Sequence, residues 1–154
     1  MLAESRQENF QISLWNYIEG RYSLTAKYFR GVSSLDTSAL SEWVEFSWQN
    51  SMRKEIRTVK DKPGNYVDAY INAMIYVRPS DVLTRITRIH DTVVDLLRRP
   101  VVTVKDWVGD GSEIAKLEGQ GIEADNYLGV VDDLNVQSMI FHFCYIERFD
   151  RYTS

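Results

Sequence analysis

Residues 65–77 read NYVDAYINAMIYV, and the alternation in this stretch decides the fold. The odd positions Val67, Ala69, Ile71, Ala73, Ile75 and Val77 are uniformly apolar, so one face of an extended strand belongs to a core. The even positions are Tyr66, Asp68, Tyr70, Asn72, Met74 and Tyr76. An extended run of this length spans about 43 Å, whereas a compact domain of this size is roughly 40 Å across. The strand therefore crosses the whole molecule or projects from it, and it offers a platform or an edge for pairing. Tyr66, Tyr70, Met74 and Tyr76 combine large, rigid side chains with polar tips, a composition enriched at protein interfaces. The competing reading is that these tyrosines pair across strands or pack beneath a helix. Cations that would hold phosphates are absent from this face, which disfavours stacked nucleic acid.

The flanking segments supply the other elements. Pro79 and Ser80 open a helix, with Ser80 as N-cap and Asp81 near the positive end of its dipole. Val82, Ile86, Ile89, Val93 and Leu97 form its apolar stripe, and Asp81–Arg85 and Asp95–Arg99 are spaced as four-residue ion pairs. Pro100 forces an exit at Arg99, and Val101–Val108 reads as a strand. Upstream, Val44, Phe46 and Trp48 alternate with polar residues in a second strand, after a Gly/Ser/Thr/Asp-rich loop over 31–41. Tyr22, Leu24, Ala26 and Tyr28 mark a first strand. Before it, Ser5 and Glu8 fit a capping box for a helix carrying Phe10, Leu14 and Ile18 and stopping at Gly20. Residues 109–135 hold five of the eight glycines and read as a long projecting loop. The chain closes with a strand over 136–149 whose two faces are both apolar, which requires cover on both sides, from helices or from a neighbour. The expected architecture is a single α+β domain over 1–154: a mostly antiparallel, twisted sheet of about four to six strands, two main helices packed on it, and the long loop.

Composition narrows the function. With 154 residues, 44% apolar and 26% charged, the chain can bury an ordinary globular core. Its net charge of −4 argues against a dedicated nucleic-acid surface. Arg53, Lys54, Arg57, Lys60 and Lys62 nevertheless crowd one segment over 53–64, while 106–133 is acidic. The basic segment reads either as a solvated hairpin tip or as a contact for an acidic partner surface. Cys144 is the only cysteine, so no internal disulfide is expected. The longest charge-free stretch, Leu134–Ile146, contains Gln137, Ser138 and His142 and is too short and polar for a bilayer. Synthesis in the cytoplasm is expected, with no membrane partner.

Candidate chemistry is sparse. His142 and Cys144 share one strand face with about 6–7 Å between their Cα atoms, from which a thiol and an imidazole could be brought together. They are flanked by Ile140 and Ile146, and free cysteine is among the most buried residue types, so a packed strand face is the preferred reading. His90 follows Ile89 on the second helix and precedes Asp91, and reads as a histidine at the boundary of the buried face rather than as a base. No metal-ligand spacing, phosphate-binding glycine pattern or catalytic triad is present, so no cofactor, metal or catalytic residue is expected.

The order helix, strand, strand, long strand, helix, strand, loop, closing strand resembles the tail terminator (tail completion) proteins of long-tailed bacteriophages. The stretches that carry the resemblance are the opening helix, SEWVEFSW at 41–48, YVDAYINAMIYVRP at 66–79, DVLTRITRIHDTVVDLLRR at 81–99 and VQSMIFHFCYIERF at 136–149. It rests on element order and texture and covers most of 5–149. It implies a virion protein of the tail or neck, assembled in the host cytoplasm. It also implies a homohexameric ring contacting a tail-tube protein on one side and a head-completion or connector protein on the other, with the genome DNA passing through the lumen without specific binding. The interface residues expected on this reading are Tyr66, Tyr70, Met74, Tyr76, Arg53, Lys54 and Arg57. The alternatives are a head-completion or tail-tube subunit, or a small dimeric ligand-binding or enzymatic module using His142 and Cys144.

Overall fold

The computed structural model describes residues 3–49, 54–59, 62–78 and 83–148. Helix α1 (Ala3–Arg21) is followed by strands β1 (Ala26–Phe29), β2 (Glu42–Trp48), β3 (Lys54–Val59) and β4 (Lys62–Val77). Helix α2 (Leu83–Leu97) then leads to β5 (Val101–Lys105), β6 (Glu113–Val131) and β7 (Leu134–Arg148). The class is α+β, and the sheet has seven strands, more than the four to six expected. Its order is β1-β2-β4-β7-β6-β5, with β3 also paired to β4. Strand β1 joins β2 in parallel and every other pairing is antiparallel. Strand β4 is the spine: β7 lies along one side of it, and β2 and β3 share the other, pairing with its second and first halves.

Both helices pack on one face of this sheet. Phe10, Leu14 and Ile18 of α1 and Ile86, Ile89, Val93 and Leu97 of α2 join one core with Ala69, Ile71, Ala73, Ile75 and Val77 of β4 and Met139, Phe141 and Phe143 of β7. The odd positions of β4 are thus inward, as their alternation requires. Burying each isoleucine or phenylalanine here contributes on the order of 2–3 kcal/mol. Arg85 of α2 donates from its guanidinium to both carboxylate oxygens of Glu42, clamping the helix over the start of β2. The expected partner Asp81 lies outside the described residues.

Several expectations need correction. Residues 109–135 are not a loop: a turn over 106–112 leads into β6, which runs 19 residues along β7. Its glycines are bulge positions, with register shifts at Gly119/Gly121 and Tyr127/Gly129 and positive φ at Gly121 (118°) and Gly129 (81°). Bulges of this kind recruit glycine and so imitate a loop in sequence. The first strand starts at Ala26, because Tyr22 is drawn into the end of α1. The Tyr22 amide donates to Ile18 O at 2.8 Å, and its buried ring packs against Phe46. Phe29, not Tyr28, is then the inward residue of β1. Helix α1 already includes Ala3 and runs through Arg21, so Ser5 lies inside it and Gly20 does not stop it. The basic segment contributes a strand of its own, β3. Strand β5 ends at Lys105, short of the expected Val108.

Asn9 and Ser13, polar residues one helical turn apart, are almost wholly buried against the turn after β5. Asn9 Oδ1 accepts from the Trp107 amide at 2.8 Å and the Val108 amide at 3.3 Å, and its Nδ2 donates to Asp106 Oδ1 at 3.1 Å. Ser13 Oγ accepts from the Lys105 amide at 3.1 Å and the Trp107 indole at 2.9 Å. These bonds fix α1 to the far edge of the sheet and supply acceptors to the Lys105, Trp107 and Val108 amides.

Candidate functional site: the uncovered sheet face

The even positions of β4 point away from both helices. Among the described residues no helix lies over them, and Asp68, Tyr70, Asn72, Met74 and Tyr76 are all half-buried. Register extends this surface across three strands. Tyr70 faces His142, Asn72 faces Ile140 on β7 and Ser47 on β2, Met74 faces Ser138 and Glu45, and Tyr76 faces Val136 and Trp43. The second apolar face of β7, which requires cover, is this same surface: Ile140, His142 and Cys144 are half-buried.

The surface is ordered by contacts between its own side chains. Tyr76 stacks on Trp43 with ring centroids 5.3 Å apart, and the Arg78 guanidinium lies 5.8 Å from the Trp43 ring on the same row. Tyr70 stacks on His142 at 5.0 Å, and His142 Nε2 meets Asp68 Oδ1 at 2.7 Å. An ionised carboxylate accepts only, so Nε2 carries the proton in that bond. Gln49 donates from Nε2 to Asn72 Oδ1 at 2.9 Å. The Tyr28 hydroxyl donates to the Glu45 carboxylate. Burial, then the Glu45 carboxylate, pushes the Tyr28 phenol well above its ordinary range, and the same two causes raise Tyr76. Both phenols therefore stay neutral donors at physiological pH. The result is a set of immobilised aromatic plates with neutral polar tips, whose side chains have little conformational entropy left to lose.

Of the expected interface residues, Tyr70, Met74 and Tyr76 come together on this face. Tyr66 is placed by its backbone on the same side of β4, opposite Ile146. Lys54 and Arg57 are placed by their backbone in β3, and Arg53 lies outside the described residues. Residues that sequence reasoning missed are Trp43, Glu45 and Tyr28, which join the row only through the β1–β2–β4 register. A signal was available in the alternation of β2, where Trp43 and Glu45 fall opposite in phase to Val44 and Phe46.

His142 and Cys144 do share a face, as their spacing requires, but the imidazole is oriented by Asp68 and Tyr70. Two shallow depressions lie elsewhere. One of about 370 Å³ is lined by Gln7, Glu8, Gln11, Ile12, Gly31 and Val32, and one of about 250 Å³ by Tyr17, Asp95, Leu96, Arg98, Arg99 and Pro100. Neither contains His142 or Cys144. Among the described residues no group of three or more His, Cys, Asp or Glu side chains is placed to hold a metal ion. None of the described helices is long and apolar enough to cross a membrane.

No family model and no curated protein matches the sequence. Among solved structures, one chain superposes with a TM-score of 0.58 over 94% of this chain and 96% of its own length, at 8% identity. At that identity the likeness shows the fold alone, shared nearly end to end.

Proposed function

We propose that the chain is a structural subunit of a bacteriophage tail or neck, a tail terminator that assembles into a ring, caps the tail tube and joins it to the head connector. The observation that carries this reading is the helix-free, half-buried and pre-ordered aromatic face of β4 with its neighbours on β2 and β7. A sheet of this length with both helices on one side leaves its other side for another protein, and large half-buried aromatics are what such a contact uses. The two helices, the long β4 and the closing β7 in this order support the resemblance, while β3 and β6 are additions to the order read from the sequence. A net charge of −4 suits a lumen through which DNA passes without being held.

The test places a charge on this face. Tyr70→Asp with Met74→Glu leaves a folded monomer by circular dichroism and weakens co-assembly with tail tubes by at least about thirtyfold, the loss expected from removing a hot-spot pair. Normal assembly of the variant rules the face out, and loss of folding assigns it to the core. The His142–Asp68 contact is the one observation that favours an enzymatic module. Cys144→Ser distinguishes the two, since it abolishes any thiol chemistry and leaves assembly intact.

A further inference from the structure

The distal end of the β6–β7 hairpin is apolar where water should meet it. Tyr127, Leu128, Val130 and Val131 are between 47% and 62% exposed, four large apolar residues within five positions. Isolated exposed apolar residues need no explanation, but a contiguous group at one corner does. The outer edge of β6 is also open there among the described residues, since β5 pairs only within Glu113–Glu118 and the paired residues of β6 beyond Glu118 meet only β7.

Charge indicates what covers this corner. From Glu118 to Glu147 the sequence contains no lysine or arginine, and Glu118, Glu123, Asp125, Asp132 and Asp133 all lie on or beside β6. Asp132 and Asp133 form the two-residue turn with φ of 49° and 62°, positions that Asn or Gly would fill with less strain and without charge. The complementary feature is the β3–β4 hairpin, whose segment carries Lys54, Arg57 and Lys62. The two features occupy opposite ends of the spine. Asn135, beside the acidic turn, is in register with Val77 at the end of β4, whereas Lys62 begins that strand. Fifteen steps of about 3.3 Å put them about 50 Å apart, so they cannot meet within one chain.

We infer that the apolar, acidic corner at 127–133 docks onto the basic β3–β4 hairpin of a second copy of this chain. The contact is heterologous, head to tail, the class of interface that closes into a ring when the rotation between copies divides a full turn. The apolar side chains provide the buried centre and the opposite charges set register and partner choice. The inference deepens the ring reading by naming the two surfaces that meet between neighbouring subunits, and it rests on that reading.

The experiment is a charge exchange read by sedimentation velocity over a concentration series at low salt. One variant reverses the acidic corner (Asp132→Lys with Asp133→Lys), the other the basic hairpin (Arg57→Glu with Lys62→Glu). The wild type self-associates. Each variant alone associates at least about a hundredfold more weakly, because like charges now face each other. An equimolar mixture recovers assembly, because every contact between unlike variants is again complementary, and this recovery also demonstrates that both variants fold. Wild-type-like association of either variant, a mixture as dissociated as its components, or a wild type that stays monomeric throughout overturns the inference. Co-assembly of the wild type with tail tubes is scored separately, so a failed corner contact and a failed ring assignment give different results.

Discussion

Replacing Asn9 by alanine removes the buried amide that holds the turn after β5 to helix α1. The Trp107 amide loses its acceptor at 2.8 Å and keeps Lys105 O at 3.1 Å, and the Val108 amide loses a longer bond at 3.3 Å. Losing one such part-buried hydrogen bond costs about 0.5–1.5 kcal/mol, and the longer bond contributes less. Asp106 loses the Asn9 donor at 3.1 Å but keeps the Gly109 amide at 3.0 Å. The total is about 1–2 kcal/mol, which moves a urea midpoint down by roughly 0.5–1 M at the slope expected for a domain of this size. Asn9→Asp adds a discriminating control. It preserves the acceptor for the two amides but sets a second carboxylate against Asp106, where the amide donor was. The like charges raise the folded-state carboxyl pKa above its unfolded value, so this variant is weakest at neutral pH and recovers stability as the pH falls through that raised value. Equilibrium urea unfolding at pH 7 and pH 4.5 reads both effects. An Asn9→Ala midpoint within about 0.5 kcal/mol of wild type, or an aspartate variant indifferent to pH, refutes the reasoning.

Other outcomes follow from single residues. A Cβ at Gly119 would sit 2.4 Å from Pro100 Cδ and 3.0 Å from Arg99 Cα, so Gly119→Ala costs about 1–3 kcal/mol and loosens the β5–β6 pairing, visible as faster amide exchange in Val101–Lys105. His90 bridges Asp91 at 3.0 Å and Asp125 at 2.7 Å, joining α2 to β6. Partial burial pulls its pKa down, but the two carboxylates outweigh that and raise it above 6.5. Its contribution to stability is therefore complete below the ordinary imidazole range and lost as the pH rises through the raised value. His90→Gln should flatten that part of the stability profile, as urea midpoints between pH 5 and pH 9 would show. Cys144→Ser should leave stability within about 1 kcal/mol and assembly unchanged, measured by unfolding and by electron microscopy with tail tubes.

How much of this was legible in the sequence depended on whether local pattern or long-range pairing decided the outcome. The inward face of β4 and the stripe of α2 were readable because one face of each element is packed without interruption. Strand β6 was hidden because it sits near the sheet edge with much of its surface in solvent, so no apolar alternation survives, and its glycines serve bulges. The role of Asn9 and Ser13 could not be read, because their partners lie more than ninety residues away. Tyr70, Met74 and Tyr76 could be assigned to the candidate face from alternation alone. The phase of Trp43 and Glu45 was visible in the alternation of β2, but joining them and Tyr28 to that face needed the β1–β2–β4 register, which local sequence does not encode.

The most direct test of the central claim is site-specific photo-cross-linking from position 74 in protein mixed with tail tubes, with exposed Asp95 on α2 as the control position. The uncovered face predicts cross-links from position 74 to a second polypeptide, either another copy or a tube subunit, and few from position 95. Products from position 74 confined to its own chain would contradict it.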